Sequence, residues 1–387
     1  MMPSTITRPA SSAAPVAADP TRHFARVDVL RAVAILLVFL FHYWYQVGSR
    51  TGVSAAVAAP VLSGDLFSRI LRVVPENGYV GVRLFFVISG FCIHLSFLKW
   101  VEKPSAGGLR SYWPGFLWRR FWRIYPPYLL VLLPVWYFQY HAQLDPRAWR
   151  HLGAHLLMVH NFFWPTLFSI VVSFWSIAVE WQLYLVYPLF LLAARRWGPW
   201  PAVAGASLLA VGLNAAAGSL PFAVLHSPFG YWFEWTLGAL IAADAVREDG
   251  GALRGLGRWA LPLWLAVAVA WVLLLPFVIC YVLATLACGA LLVAALHRRT
   301  PLAWWERALV PVGLCSYSLY LVHEPLLELL FNGYGAALRT APAWVVWGVL
   351  QAAFFAAVLA VSRLFYHLVE VPSTRVGQQP PHFLSAR

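Results

Sequence analysis

The chain has 387 residues, of which 61% are hydrophobic, 16% aromatic and only 11% charged, with a mean hydropathy of +0.69. That balance excludes a soluble globular domain and predicts an all-α, polytopic transmembrane helical bundle. The formal net charge of +13 does not indicate a nucleic-acid partner, because the arginines lie in short segments between apolar runs, where they set orientation in a lipid bilayer.

Residues 1–25 are rich in Ala, Pro, Ser and Thr and lack a signal-peptide core, so they read as a disordered cytoplasmic tail. Apolar runs follow near 27–47, 79–98, 124–140, 174–194, 200–218, 229–246, 258–275, 277–296, 308–331 and 343–369, about ten expected spans. A loop from Gly48 to Asn77 separates the first two, and a basic segment from Lys99 to Arg123 precedes the third. The short apolar piece 151–164 fits an extra re-entrant or interfacial helix. His141, His151, His155 and His160 around it are irregularly spaced and read as solvent-facing rather than as metal ligands. Cys92, Cys280, Cys288 and Cys315 fall inside apolar runs and read as small buried hydrophobes. There is no metal, haem or nucleotide motif and no internal repeat. With the N-terminus inside, 19 of the 28 Lys and Arg residues fall in cytoplasmic segments and 6 outside. This places both termini in the cytoplasm, with 373–387 as a C-terminal tail.

The first span holds the most informative stretch, Arg26-Val-Asp-Val-Leu-Arg31 with His42 beyond it. Ionisable groups inside a membrane span are costly and indicate function by default. Arg31 and His42 are eleven residues apart, roughly 16 Å along a helix and on nearly the same face. Asp28 shares that face and can pair with Arg31 at i,i+3. The competing explanations are an Arg31 that snorkels to the headgroups and a His42 that caps the far interface.

Six ordered motifs extend this pattern: Arg26-Val-Asp-Val-Leu-Arg31 with His42; Gly81-Val-Arg-Leu-Phe-Phe-Val-Ile-Ser89-Gly90-Phe91; Arg120-Phe-Trp-Arg123-Ile-Tyr-Pro; Phe174-Trp175-Ser176-Ile-Ala-Val-Glu180 with Tyr184; Ser316-Tyr-Ser-Leu-Tyr320-Leu-Val-His323-Glu-Pro325; and Glu370-Val-Pro372. Any one is weak, but together and in order they make the chain, from Arg26 to Pro372, resemble the acyltransferase-3 family of integral membrane acyltransferases. The departure is at Val29 and Ala32, where that family usually has glycine; this touches helix packing, not chemistry.

Acyl transfer to a hydroxyl needs a base for the hydroxyl proton and a stabiliser for the developing oxyanion. His42 fits as the base, since imidazole titrates near neutrality, or as a covalent carrier of the acyl group; both routes stay open. Asp28 holds Arg31 in place, or Arg31 meets the donor's phosphates. Arg120 and Arg123, one turn apart, suit a polyanion such as coenzyme A, against plain positive-inside anchoring. Glu180, with Ser176 and Tyr184 one turn away on either side, is expected to contact acceptor hydroxyls or orient His42; the structural alternative is an ion pair with Arg83. Ser316, Tyr320 and His323 share one stripe, and a helix–helix hydrogen bond competes with direct catalysis for His323. Ser89-Gly90 favours close helix packing, and Glu370 a structural role.

The resemblance implies a membrane domain over 26–372 in a bacterial inner membrane. It implies cytoplasmic acyl-CoA, above all acetyl-CoA, as donor, a carbohydrate hydroxyl as acceptor, and no metal. The chain stops soon after its last run, which leaves no room for the soluble esterase-like domain some members append, so transfer is expected to finish within the membrane domain. The competing class is a multi-span transporter for a sugar or lipid-linked sugar. Against it, no paired half-repeats with matching interruptions are visible.

Overall fold

The computed structural model describes residues 20–51, 76–103, 109–140, 146–247, 251–340 and 345–379. The N-terminal tail up to residue 19, most of the Gly48–Asn77 loop, His141 and the chain beyond 379 lie outside the described residues. The described residues are helical with turns, and no strand occurs among them.

The main helices are α1 (Pro20–Thr51), α2 (Val80–Val101), α3 (Leu109–Tyr140), α4 (Pro146–Leu156), α5 (Trp175–Trp197), α6 (Pro199–Ala215), α7 (Trp232–Ala245), α8 (Ala260–Val272), α9 (Phe277–His297), α10 (Trp304–Leu314), α11 (Ser316–Thr340), α12 (Gln351–Phe365) and α13 (Val371–Gln378). Among the described residues, every expected apolar run is helical over most of its length. Six stretches among the described residues are long and apolar enough to cross a membrane: Ala25–Ser49, Val80–Val101, Val172–Trp197, Ala252–Val272, Phe277–His297 and Gly348–Gln378. The protein is thus a multi-pass helical membrane protein, but about ten crossings are not established. Helices α6 and α7 have only 17 and 14 residues, and the run 308–331 breaks at Cys315 into α10 and α11.

The basic segment before the third run is not a separate element. Arg119 to Arg123 lie within the 32-residue α3, which also holds Pro114, Pro126, Pro127 and Pro134. A proline cannot donate to the carbonyl four residues back, so that oxygen needs another partner. The carbonyl freed by Pro126 belongs to Trp122, and the Ser373 hydroxyl of α13 donates to it. Residues 371–378 are therefore a helix docked on α3.

Two apolar clusters form the core. One joins α1 to α3, α5, α11 and α12; the other joins the opposite side of α1 to α2, α7 and α9. Glycine permits the closest crossings. A Cβ on Gly90 would lie 1.9 Å from the Trp235 carbonyl oxygen, and one on Gly238 would lie 2.0 Å from that of Val87. These small residues let the α2 and α7 backbones touch, the packing mode of membrane helices, so Gly90 serves packing.

The α3–α5 connection, outside the six long apolar stretches, is ordered by polar contacts. Asn161 and Gln182 exchange side-chain amide hydrogen bonds at 3.0 and 2.7 Å, and Trp136 Nε1 donates to the Ala148 carbonyl at 2.9 Å. His155 and His160 are each 0% exposed, with rings stacked at 3.8 Å between centroids and 4° between planes. The expectation that both face solvent is corrected: helix α4 turns Ala148, Leu152 and His155 inward.

Burial is the leading cause that pushes the His155 imidazole down to about 4 and the His160 ring well below its ordinary value. Both are neutral in the folded state at pH 7. A histidine depressed on folding supports stability above its unfolded value, near 6.5, and withdraws that support as pH falls towards the folded value. We expect a lower unfolding temperature at pH 5 than at pH 7.5 in detergent. His155 alone should account for about 2 kcal/mol of that loss, and His155→Gln should flatten the dependence. A melting temperature that does not change across this range would contradict the neutral pair.

Candidate active site

The same ordering of polar side chains recurs along the helices that surround one cavity. Its wall includes Arg31 of α1, Ser89 and Cys92 of α2, Arg120 and Arg123 of α3, Ser176, Glu180 and Tyr184 of α5, and Ser316, Tyr317 and Tyr320 of α11. Seven of the residues singled out in the sequence, Arg31, Arg120, Arg123, Ser176, Glu180, Tyr184 and Tyr320, meet there. Asp28, His42 and His323 are not in the wall.

At the basic end, the Asp28 carboxylate accepts from Arg31 at 2.7 Å, the i,i+3 pair the spacing predicts. Arg31 also reaches Cys92 Sγ at 3.4 Å. Arg123 lies 3.8 Å from Glu370, which accepts from the Ser318 backbone N–H at 3.1 Å and hydroxyl at 2.6 Å. Glu370 is thus a brace between α3 and α11. Arg120 is different. Its guanidinium lies over the rings of Phe116 and Tyr184 at 5.6 and 5.7 Å, and its buried Nε has no hydrogen-bond partner among the described residues. Three guanidinium groups on one cavity, one of them with an unsatisfied donor, suit a phosphate-bearing ligand.

One turn deeper, Glu180 accepts from Ser89 Oγ at 3.1 Å and from the Tyr184 hydroxyl at 2.5 Å. Arg83 does not pair with it. Arg83 binds Glu234 instead, inside the second core cluster. Another turn on, the Ser176 and Tyr320 hydroxyls meet at 2.5 Å, and Tyr320 also donates to the Ser173 carbonyl at 3.0 Å.

Behind Tyr320 lies the histidine pair. His42 is buried, at 8% exposure, and its Nδ1 lies 3.3 Å from His323 Nε2. Nδ1 of His42 faces the Val38 carbonyl at 2.9 Å, and Nδ1 of His323 faces the Tyr320 carbonyl at 2.7 Å. A carbonyl only accepts, so both Nδ1 atoms carry hydrogen, and a neutral His42 keeps its lone pair on Nε2. That nitrogen lies 4.0 Å from Glu324 Oε2. The carboxylate nearest His42 is therefore Glu324, and the Glu180 contacts are with Ser89 and Tyr184. Glu324 stands within the quoted Ser316–Pro325 motif and was passed over, although a carboxylate inside the apolar run 308–331 was itself a signal. It sits beside His323 on the chain and finds His42 only through helix packing. Among the described residues, no group of three or more His, Cys, Asp or Glu side chains is placed to hold a metal ion.

Residues 24–367 match the family described as an acyltransferase domain. The chain is 26% identical over 338 residues to acyltransferase MdmB of Streptomyces mycarofaciens, covering 79% of this chain and 83% of that one. It is 25% identical over 209 residues to peptidoglycan O-acetyltransferase OatA of Listeria monocytogenes, covering 50% of this chain and only 28% of the relative. A third match, 27% identical over 184 residues, is to regulator of hypoxia-inducible factor 1 of Caenorhabditis elegans, covering 43% of this chain and 33% of that one. No solved structure matches the chain. The family match covers nearly all of the sequence, including every motif from Arg26 to His323, and the chain belongs to the acyltransferase-3 family.

Proposed function

We propose that the protein is a membrane O-acyltransferase that moves an acyl group, acetyl first of all, from cytoplasmic acyl-CoA to a hydroxyl of a carbohydrate. The observation that carries this reading is a three-arginine cavity whose wall includes Tyr320, the ring packed on the His323 that in turn touches the buried imidazole of His42. Arg31, Arg120 and Arg123 would receive the donor's phosphates. Ser89, Glu180 and Tyr184 would line the path of the thioester arm, and Ser176 and Tyr320 would stand between that path and His42. The roughly 16 Å from Arg31 to His42 along α1 is a distance an extended pantetheine arm covers. His42 would take the proton of the attacking hydroxyl.

On this reading the basic end faces the cytoplasm of a bacterial inner membrane, both termini lie on that side, and the acceptor approaches from the other. The relative named for peptidoglycan O-acetylation supports a cell-envelope or secreted glycan as acceptor. The family membership supports acyl transfer over transport.

The test is thioester consumption by protein reconstituted in liposomes with acetyl-CoA, joined to mass spectrometry of envelope and secreted glycans with and without the gene. We expect loss of an acetyl mass from one glycan when the gene is removed. Arg120→Ala should raise KM for acetyl-CoA by about 10-fold or more, the worth of a charge-assisted hydrogen bond, with kcat little changed. Sugar flux without thioester consumption would defeat this reading and favour a carrier.

A further inference from the structure

Glu324 is a buried carboxylate, 8% exposed, to which the Ser316–Pro325 motif gave no role. Its two oxygens are held by consecutive peptide N–H groups, Val172 at 3.2 Å and Ser173 at 2.7 Å. The turn that aims these donors follows Ile170, a β-branched residue at φ +63°, in the left-handed region such residues rarely adopt. Gln139 Nε2 donates to the Ile170 carbonyl at 2.8 Å and fixes that turn from α3. The carboxylate thus anchored points Oε2 at His42 Nε2, 4.0 Å away. The Nδ1 side of the same ring is already occupied by Val38 and His323. The titratable groups placed around the ring are His323 and Glu324 of α11, with Tyr320 packed on His323.

We propose that Glu324 is a positioning residue that holds the imidazolium form of His42 during acyl transfer. This rests on the proposed role of His42 as base. In the step, the acceptor's O–H proton passes to Nε2 of His42 while the hydroxyl oxygen bonds to the thioester carbonyl carbon. The carbon–sulfur bond then breaks, and the departing thiolate takes the proton from Nε2. Between these events the ring is positive, with Nδ1–H on Val38 and His323 and Nε2–H facing Glu324. The neutral ring offers only a lone pair at Nε2, to which an ionised carboxylate cannot donate, so Nε2 stays open to the acceptor; once Nε2 carries a proton, the carboxylate 4.0 Å away can close on it. An interaction stronger in the charged state than in the resting state accelerates the step.

The experiment compares Glu324→Gln, Glu324→Asp, His42→Ala and the unaltered protein in liposomes, with acetyl-CoA turnover measured across pH. Glu324→Gln should lower kcat by about 100-fold with KM for acetyl-CoA unchanged. It should also move the acid limb of the pH–rate profile to lower pH, because a negative neighbour that favours the protonated ring is gone. Glu324→Asp keeps the charge, so the limb should stay in place while kcat falls by about 10-fold as the shorter carboxylate retracts. Wild-type kcat and an unmoved limb in Glu324→Gln would overturn the assignment. If the Gln variant does not fold, wild-type kcat in the Asp variant overturns it instead. A dead His42→Ala beside a wild-type-like Glu324→Gln would remove only the role of Glu324. No acetyl-CoA turnover by the unaltered protein would remove the proposed function itself.

Discussion

Replacing His42 by alanine is expected to cut acetyl-CoA turnover by about 10²–10⁴-fold, the usual contribution of a positioned general base. The protein should still extract, elute and melt as before. His42 sits where α1 meets α11, and its hydrogen bonds run to one backbone carbonyl and one imidazole. Neither partner is a charge left uncompensated when the ring is removed, so the structural cost is the modest one of a small cavity. Turnover within about tenfold of the unaltered protein would remove His42 from the chemistry. His323→Ala should have a smaller effect, because the Val38 carbonyl alone still fixes the Nδ1–H tautomer.

Glu234→Ala is expected to destabilise the bundle by about 3–5 kcal/mol, measured by unfolding in mixed micelles. Glu234 is fully buried on α7 and pairs with Arg83 of α2. Its second oxygen accepts from the Tyr281 hydroxyl of α9 at 2.9 Å. The Arg83 guanidinium also lies 4.5 Å from the centre of the Tyr281 ring. Removing the carboxylate leaves an arginine unpaired among apolar and aromatic side chains, which costs far more than the pair contributes net. The double variant Arg83→Met with Glu234→Met should recover most of the loss, and the cycle should report a coupling above about 1 kcal/mol. Additive effects would mean that the two charges do not compensate one another. This pair lies outside the cavity wall, so its loss should reduce the amount of folded enzyme rather than KM.

The chain alone determined which segments are helical and which charges neighbour one another along a helix. Hydropathy located the apolar runs, the spacing of Asp28 and Arg31 foretold a contact that the structure contains, and the spacing of Glu180 and Tyr184 put on neighbouring turns two side chains that the structure joins. These readings hold because a helix repeats every 3.6 residues and its hydrogen bonds are local. The convergence of the Arg31, Arg120–Arg123 and Glu180 motifs on one cavity was legible only as a family resemblance, not as geometry. The number of crossings was not legible, because hydropathy reads a run as a span whether it is one straight helix or, as at Cys315, two.

Only the tertiary structure decided how side chains pair between helices. Arg83 could have met Glu180 or Glu234, and it meets Glu234 because Gly90 and Gly238 bring α2 against α7. His155 and His160 looked like loop residues, but α4 turns His155 inward and the His160 ring, on the turn that follows, stacks against it. Glu324 and His42, 282 positions apart, face each other because a turn at 170–173 and the packing of α11 on α1 place them so. In each case the partners are remote in sequence and no periodicity links them. Their identity follows from which helix surfaces fit together, and that is fixed by shape complementarity summed over the whole bundle.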